Sequence, residues 1–284
     1  MSRHIGRRAF LAAAAGAIAG FKAGVALGQQ PKTQKLDRIG LQLYTLRDMM
    51  KKSVPKTLSA VAKAGYKEVE FAGYFNTPVV EVKKMLADNG LISPSTHVPM
   101  SEIGMMLPKT IEDAATLGQK YITVAWIDAP ERTPDGYKRI ADRFNAAALR
   151  ARGDGIQIAY HNYSYEFEPL AGGKSGIEIL LSECDPLNLA MEADVFWMRQ
   201  AKQDPVAWLA KYPNRFRMLH LKDMGPAPKN QMRDVGKGVI DWKTLLTKAR
   251  AVGVQHFFVE HDEPKDPLAS IRESYRYLRA LRFG

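Results

Sequence analysis

Eight short β-prone runs, each followed by a longer stretch with helical spacing, follow one another along the chain. The runs are residues 39–44, 68–71, 93–98, 121–125, 157–161, 188–193, 216–221 and 256–260. Between them apolar residues recur at i, i+3 and i+4, as in Leu58, Val61, Ala62 and in Val79, Val82, Leu86, and Gly65, Gly90, Gly118 and Gly253 stand where helices should end. Strand and helix alternating eight times within about 250 residues predicts an α/β protein of the (β/α)8 TIM barrel type. A doubly wound open sheet is the next candidate, but no Gly-x-Gly-x-x-Gly turn follows an early strand.

Composition narrows the class further. The 284 residues are 46% hydrophobic and 25% charged, the balance of a globular chain with a sizeable core. Cys184 is the one cysteine, which excludes a disulfide framework and a multi-thiolate metal site within one chain. Residues 1–28 have the build of an export leader: basic Arg3, Arg7 and Arg8, a weakly apolar Ala/Gly run, and a small-residue exit at Ala26-Leu27-Gly28. The adjacent Arg7-Arg8 resembles the twin-arginine type, implying a periplasmic or otherwise exported protein. Residues 29–37 read as a polar linker and 38–284 as the catalytic barrel. Residues 1–28 carry four basic and no acidic side chains, so their removal takes the formal charge from +11 to +7. The longest apolar run, residues 9–21, is too short to span a bilayer, so no stable membrane insertion is expected once the leader is gone. No dense Lys/Arg run interleaved with aromatics appears, which argues against nucleic acid as a partner.

In a (β/α)8 barrel chemistry gathers where strands run into loops, and here those ends are polar. Strand 1 offers Gln42 and Arg47, strand 2 Glu70, strand 3 His97, and strand 4 Trp126 and Asp128. The last four strands end in His161, Asp194, His220 and Glu260, two imidazoles and two carboxylates suited to one divalent ion: Mn, Zn, Co, Fe or Mg. On strand 6, Glu192 and Asp194 point to the same side, and a period of two does not choose between them. Asp194 is preferred as the nearer to the loop.

The motifs at these ends resemble the xylose isomerase-like sugar phosphate isomerase/epimerase family. They are Ile39-Gly40-Leu41-Gln42-Leu43-Tyr44-Thr45-Leu46-Arg47, Val69-Glu70-Phe71-Ala72-Gly73, Tyr160-His161-Asn162 with Glu166-Phe167, His220-Leu221-Lys222-Asp223, and Val235-Gly236-Lys237-Gly238-Val239-Ile240-Asp241-Trp242, with Val259-Glu260 closing the series. The resemblance runs from Arg38 onward and implies a TIM barrel holding one divalent ion through His161, Asp194, His220 and Glu260. In the ketose epimerases of this superfamily the strand 5 ligand is a proton-moving glutamate. His161 stands there instead, and Tyr163 replaces a second histidine common in the Tyr-His-Asn branch. Members resembling that branch act on 3-keto sugars and glycosides by elimination, hydration or epimerisation.

The expected activity is a metal-dependent isomerisation or epimerisation of a sugar through an enediolate, with β-elimination from a 3-keto-glycoside as the alternative. The partner is then a small-molecule sugar or glycoside, and homo-oligomerisation stays open. Glu70, His97 and Glu260 are candidates to move the proton; Glu260 doubles as a ligand, which favours the other two. Lys222 is placed to hold an oxyanion. Gln42, Trp126, Asn162 and Glu166 are expected to contact substrate, with Tyr44 and Phe71 as further stacking surfaces. A nuclease would need a larger histidine-rich metal cluster, and a non-enzymatic sugar-binding subunit would have no need of an intact ligand set.

Overall fold

The computed structural model describes residues 33–284, and all eight β-prone runs form strands there. They are β1 (Gly40–Gln42), β2 (Glu68–Ala72), β3 (Ile92–Val98), β4 (Tyr121–Val124), β5 (Gln157–His161), β6 (Leu189–Asp194), β7 (Phe216–Leu221) and β8 (His256–Val259). Each pairs in parallel with its sequence neighbours, and β1 pairs with β8 to close the barrel. Closure excludes the open doubly wound sheet. Residues 1–28, read from the sequence as an export leader, and the start of the stretch read as a linker lie outside the described residues. Residues 33–37, read from sequence as linker, pack on the barrel instead: Leu36 is buried and the Phe283 N–H donates to the Gln34 carbonyl at 3.1 Å.

Helices form where their ends are satisfied. Ser53, Thr133, Asp241 and Asp266 each accept a backbone N–H at a helix start, and Gly65, Gly118 and Gly253 end helices with positive φ. No helix among the described residues is long and apolar enough to cross a membrane.

The main apolar core is the layer between strands and helices, whereas Tyr121, Ala159, Ala190, Met218 and Phe258 form a small separate plug. Gly40 makes room for that plug, since a Cβ there would lie 2.5 Å from Phe258 Cδ1. Nearer the strand ends the buried residues turn polar: Gln42, Glu70, Glu192, Asp194 and His220 are all fully enclosed. Strand register brings them together, pairing Gln42 with Glu70, His161 with Glu192, and Asp194 with His220.

Two local features differ from the sequence expectation. β1 stops at Gln42 because the Gln42 side chain accepts the Tyr44 N–H and turns Leu43–Leu46 into a 3-10 helix. After β7 the chain forms a small antiparallel hairpin, Asp223–Met224 against Met232–Arg233, which no alternation announced.

Candidate metal centre and active site

At the C-terminal ends of the strands a pocket of about 380 Å³ opens, with His97, His161, Tyr163, Lys222, Glu260 and Asp262 on its wall and Tyr44 and Arg47 at its rim. One donor atom each from His161, Asp194, His220 and Glu260 falls within a 4.8 Å cluster. His161 Nε2 lies 3.3 Å from Asp194 Oδ2, and His220 Nδ1 lies 2.7 Å from Glu260 Oε2. His161 Nδ1 is buried with no hydrogen-bond partner, and His220 Nδ1, though 2.7 Å from Glu260 Oε2, is not aligned to bond it. Two imidazoles and two carboxylates so placed fit a divalent first-row ion.

The choice between Glu192 and Asp194 dissolves in the structure, because both are buried in the site at different depths. A second cluster, Glu70, His97, Glu192 and His220, adjoins the first and shares His220 with it. His97 Nε2 stands 2.7 Å from Glu192 Oε2 and 3.2 Å from Glu70 Oε2. His220 Nε2 stands 2.7 Å from Glu70 Oε2. Gln42 Nε2 donates to that same Glu70 oxygen at 2.8 Å. Glu70 therefore lies behind His97, enclosed on several sides, and Gln42 is its buried partner. Only His97 of the two expected proton movers lines the pocket.

Lys222 is not a solvated loop lysine. It is 2% exposed, with Nζ 3.0 Å from Asp194 Oδ2, 2.8 Å from Glu260 Oε2 and 2.7 Å from Asp262 Oδ1. Asp223, the next residue, accepts the backbone N–H groups of Met224, Gly236, Gly238 and Ile240 and the indole N–H of Trp242. That one carboxylate ties down the loop between β7 and the helix Trp242–Ala251, which gives the Val-Gly-Lys-Gly-Val-Ile-Asp-Trp motif a physical reason.

Other expected contacts occupy different places. Asn162 is buried and accepts the Asp194 N–H at 3.1 Å, so it orients the β6 end. Glu166 is buried too; it accepts the Tyr160 hydroxyl at 2.5 Å and the Tyr163 N–H at 2.9 Å, and so supports the loop that carries Tyr163. Trp126 is 48% exposed at the rim, edge-on to Tyr163 and Tyr165 and under the Arg132 guanidinium. Phe71 is fully buried and packs on Tyr74, which removes it as a stacking surface. Sequence reasoning passed over Tyr163 and Asp262 as pocket walls; both follow a predicted ligand by two residues, the spacing that returns a side chain to the same face of an extended chain.

Charge in the site is strongly organised. Burial alone would raise the carboxyls of Glu260 and Asp194, but Lys222 and the neighbouring imidazoles outweigh it and hold both low. Burial would lower Lys222, yet Asp194, Glu260 and Asp262 keep it firmly charged. For His97 burial is again overcome, here by Glu70 and Glu192, which lift the imidazole to about 9. His161 goes the other way: burial holds it below its usual value, as suits a neutral ligand.

Residues 58–281 match the family described as xylose isomerase-like TIM barrel. The chain belongs to that family. Among solved relatives, a sugar phosphate isomerase/epimerase from Parabacteroides distasonis is 29% identical with a TM-score of 0.76, covering 86% of this chain and 93% of its own. An inosose dehydratase from Geobacillus thermodenitrificans is 23% identical over 75% of this chain and 83% of its length. An IOLI protein crystallised with a zinc atom shares the fold at a TM-score of 0.67 and 15% identity, covering 84% and 95% of the two chains.

Proposed function

We propose that this enzyme takes a proton from the carbon beside the carbonyl of a keto or aldo sugar, with a divalent ion held by His161, Asp194, His220 and Glu260. The observation that carries this reading is the convergence of those four donors beneath an open pocket walled by His97 and Lys222. The ion would polarise the substrate carbonyl and stabilise an enediolate. Lys222 Nζ, fixed by three carboxylates, donates to the developing oxyanion. His97 lines the pocket with its Nε2 committed to Glu192 and Glu70, and takes the proton in its neutral form, the fraction of which grows towards pH 9, with Glu70 as its positioning residue. Asn162 sets the angle of Asp194, and Trp126 with Tyr163 offers a rim on which a sugar face or aglycone stacks.

Isomerisation or epimerisation follows when the proton returns to the enediolate. Loss of a β-substituent from the same intermediate is the second reading, favoured by the curated relatives being dehydratases. Turnover of ketoses, keto-inositols and 3-keto-glycosides, with and without a chelator, tests both. An isomer or epimer supports the first, an absorbing enone product the second, and turnover unaffected by chelation contradicts the metal-dependent chemistry.

Residues 1–28 are, in the same proposal, a twin-arginine export signal preceding the barrel, which places the enzyme in the periplasm or outside the cell. Replacing Arg7 and Arg8 by lysine should trap precursor in the cytoplasm; normal export of that variant would exclude the route.

A further inference from the structure

We propose that Glu70, His97, Glu192 and His220 form a divalent-cation site of their own, one layer deeper in the barrel than the set that ends in Glu260. Glu192 precedes Asp194 by two residues on β6, so it points to the same interior one step further from the pocket. One oxygen of each carboxylate in this deeper ring faces both imidazoles. Glu70 Oε2 is 3.2 Å from His97 Nε2 and 2.7 Å from His220 Nε2, and Glu192 Oε2 is 2.7 Å and 3.3 Å from the same two nitrogens. An ion bonded at about 2.0–2.2 Å to four such donors holds them roughly 3.3–3.5 Å apart, so a few tenths of an ångström of expansion admits it.

Two further observations point to an ion rather than to a plain buried ion-pair layer. Glu70 Oε1 and Glu192 Oε1 are buried with no hydrogen-bond partner, a cost that a divalent charge on the carboxylates offsets. Among the described residues no lysine or arginine reaches this ring, whereas Lys222 already contacts Asp194 and Glu260 in the upper set.

His220 is the shared element. Its Nε2 faces Glu70 and Glu192 while its Nδ1 faces Glu260 at 2.7 Å and Asp194 at 3.9 Å, so one ring offers a donor to each site. The mixed nitrogen and oxygen donors suit Mn²⁺, Fe²⁺, Co²⁺ or Zn²⁺. An ion on His97 Nε2 would leave Nδ1 as an N–H, so His97 takes a proton only while this deeper site is empty.

Chelator-stripped protein titrated with Co²⁺ and with Zn²⁺, with bound metal counted per chain and thermal melting as the check of fold, tests the site. The expected result is two ions in the parent protein, one in Glu192→Gln and one in Asp194→Asn. Glu192→Gln binding as many ions as the parent overturns the proposal. A single parent ion lost in Glu192→Gln but kept in Asp194→Asn supports the deeper site and removes the upper one, so the two assignments fail separately. If Glu192→Gln does not fold, His97→Asn takes its place with the same counts expected.

Discussion

Lys222 Nζ lies 2.8 Å from Glu260 Oε2, and both side chains are nearly sealed from solvent. The same ammonium reaches Asp194, so it touches two of the four residues assigned to the upper ion. In the proposed assignment a divalent cation and a lysine would share carboxylates, each tempering the other's hold on them.

That sharing makes Lys222→Met informative. Removing the ammonium leaves Asp194 and Glu260 to the ion alone, so ion affinity should rise while turnover falls by about 10²-fold or more through loss of the oxyanion donor. Isothermal titration with Mn²⁺ beside steady-state kinetics measures both. A variant with weaker ion binding would contradict the competition.

His220→Ala should abolish ion binding at the upper set, and Asp194→Asn should weaken it strongly. Asn162→Ala should act more mildly, since it removes only the acceptor of the Asp194 N–H. Elemental analysis after desalting orders the three variants, and full metal content in His220→Ala would contradict the assignment.

Glu166 supplies a pH signature independent of the ion. Burial raises its carboxyl to about 7. The folded state therefore keeps its proton where the unfolded chain has lost it, and its contribution to stability is present at low pH and disappears as pH rises through about 7. Relative to Glu166→Gln, the parent protein should lose on the order of 3 kcal/mol between pH 4 and 8. Urea midpoints of both proteins across that range give the difference, and parallel profiles would show that the carboxyl does not titrate in this window.

The loop between β7 and the helix Trp242–Ala251 hangs on Asp223. A Cβ at Gly238 would stand 2.2 Å from Asp223 Oδ1, so Gly238→Ala should cost about 1–3 kcal/mol. Asp223→Ala, which strands five donors, should cost more and also slow turnover by releasing its neighbour Lys222. Thermal melting and kcat read the two effects separately.

The barrel and the residue types at its strand ends were legible in the sequence because hydrophobic period and strand order report on both directly. Depth within the barrel was not. Glu192 and Asp194 share one face of β6, and only the stagger of neighbouring strands shows that Glu192 meets Glu70 and His97 while Asp194 meets His161 and Lys222. Glu166 and Asn162 sit in motifs beside a ligand, yet their side chains turn back into the protein to satisfy backbone donors. Such roles depend on which N–H groups a loop leaves unpaired, and that information appears only once the loop is folded. The burial of Lys222 was equally hidden, since it requires three carboxylates drawn from β6, β8 and the loop beyond.

Solvent-deuterium exchange tests the proton abstraction most directly. The ion-loaded enzyme, incubated in D₂O with each ketose, keto-inositol and 3-keto-glycoside and followed by proton NMR, should wash deuterium into the carbon beside the carbonyl of any substrate it turns over. His97→Ala should slow that exchange by about 10²- to 10⁴-fold, and chelation should stop it. Turnover and exchange that stay at the parent rate both in His97→Ala and in the chelated protein would contradict the account.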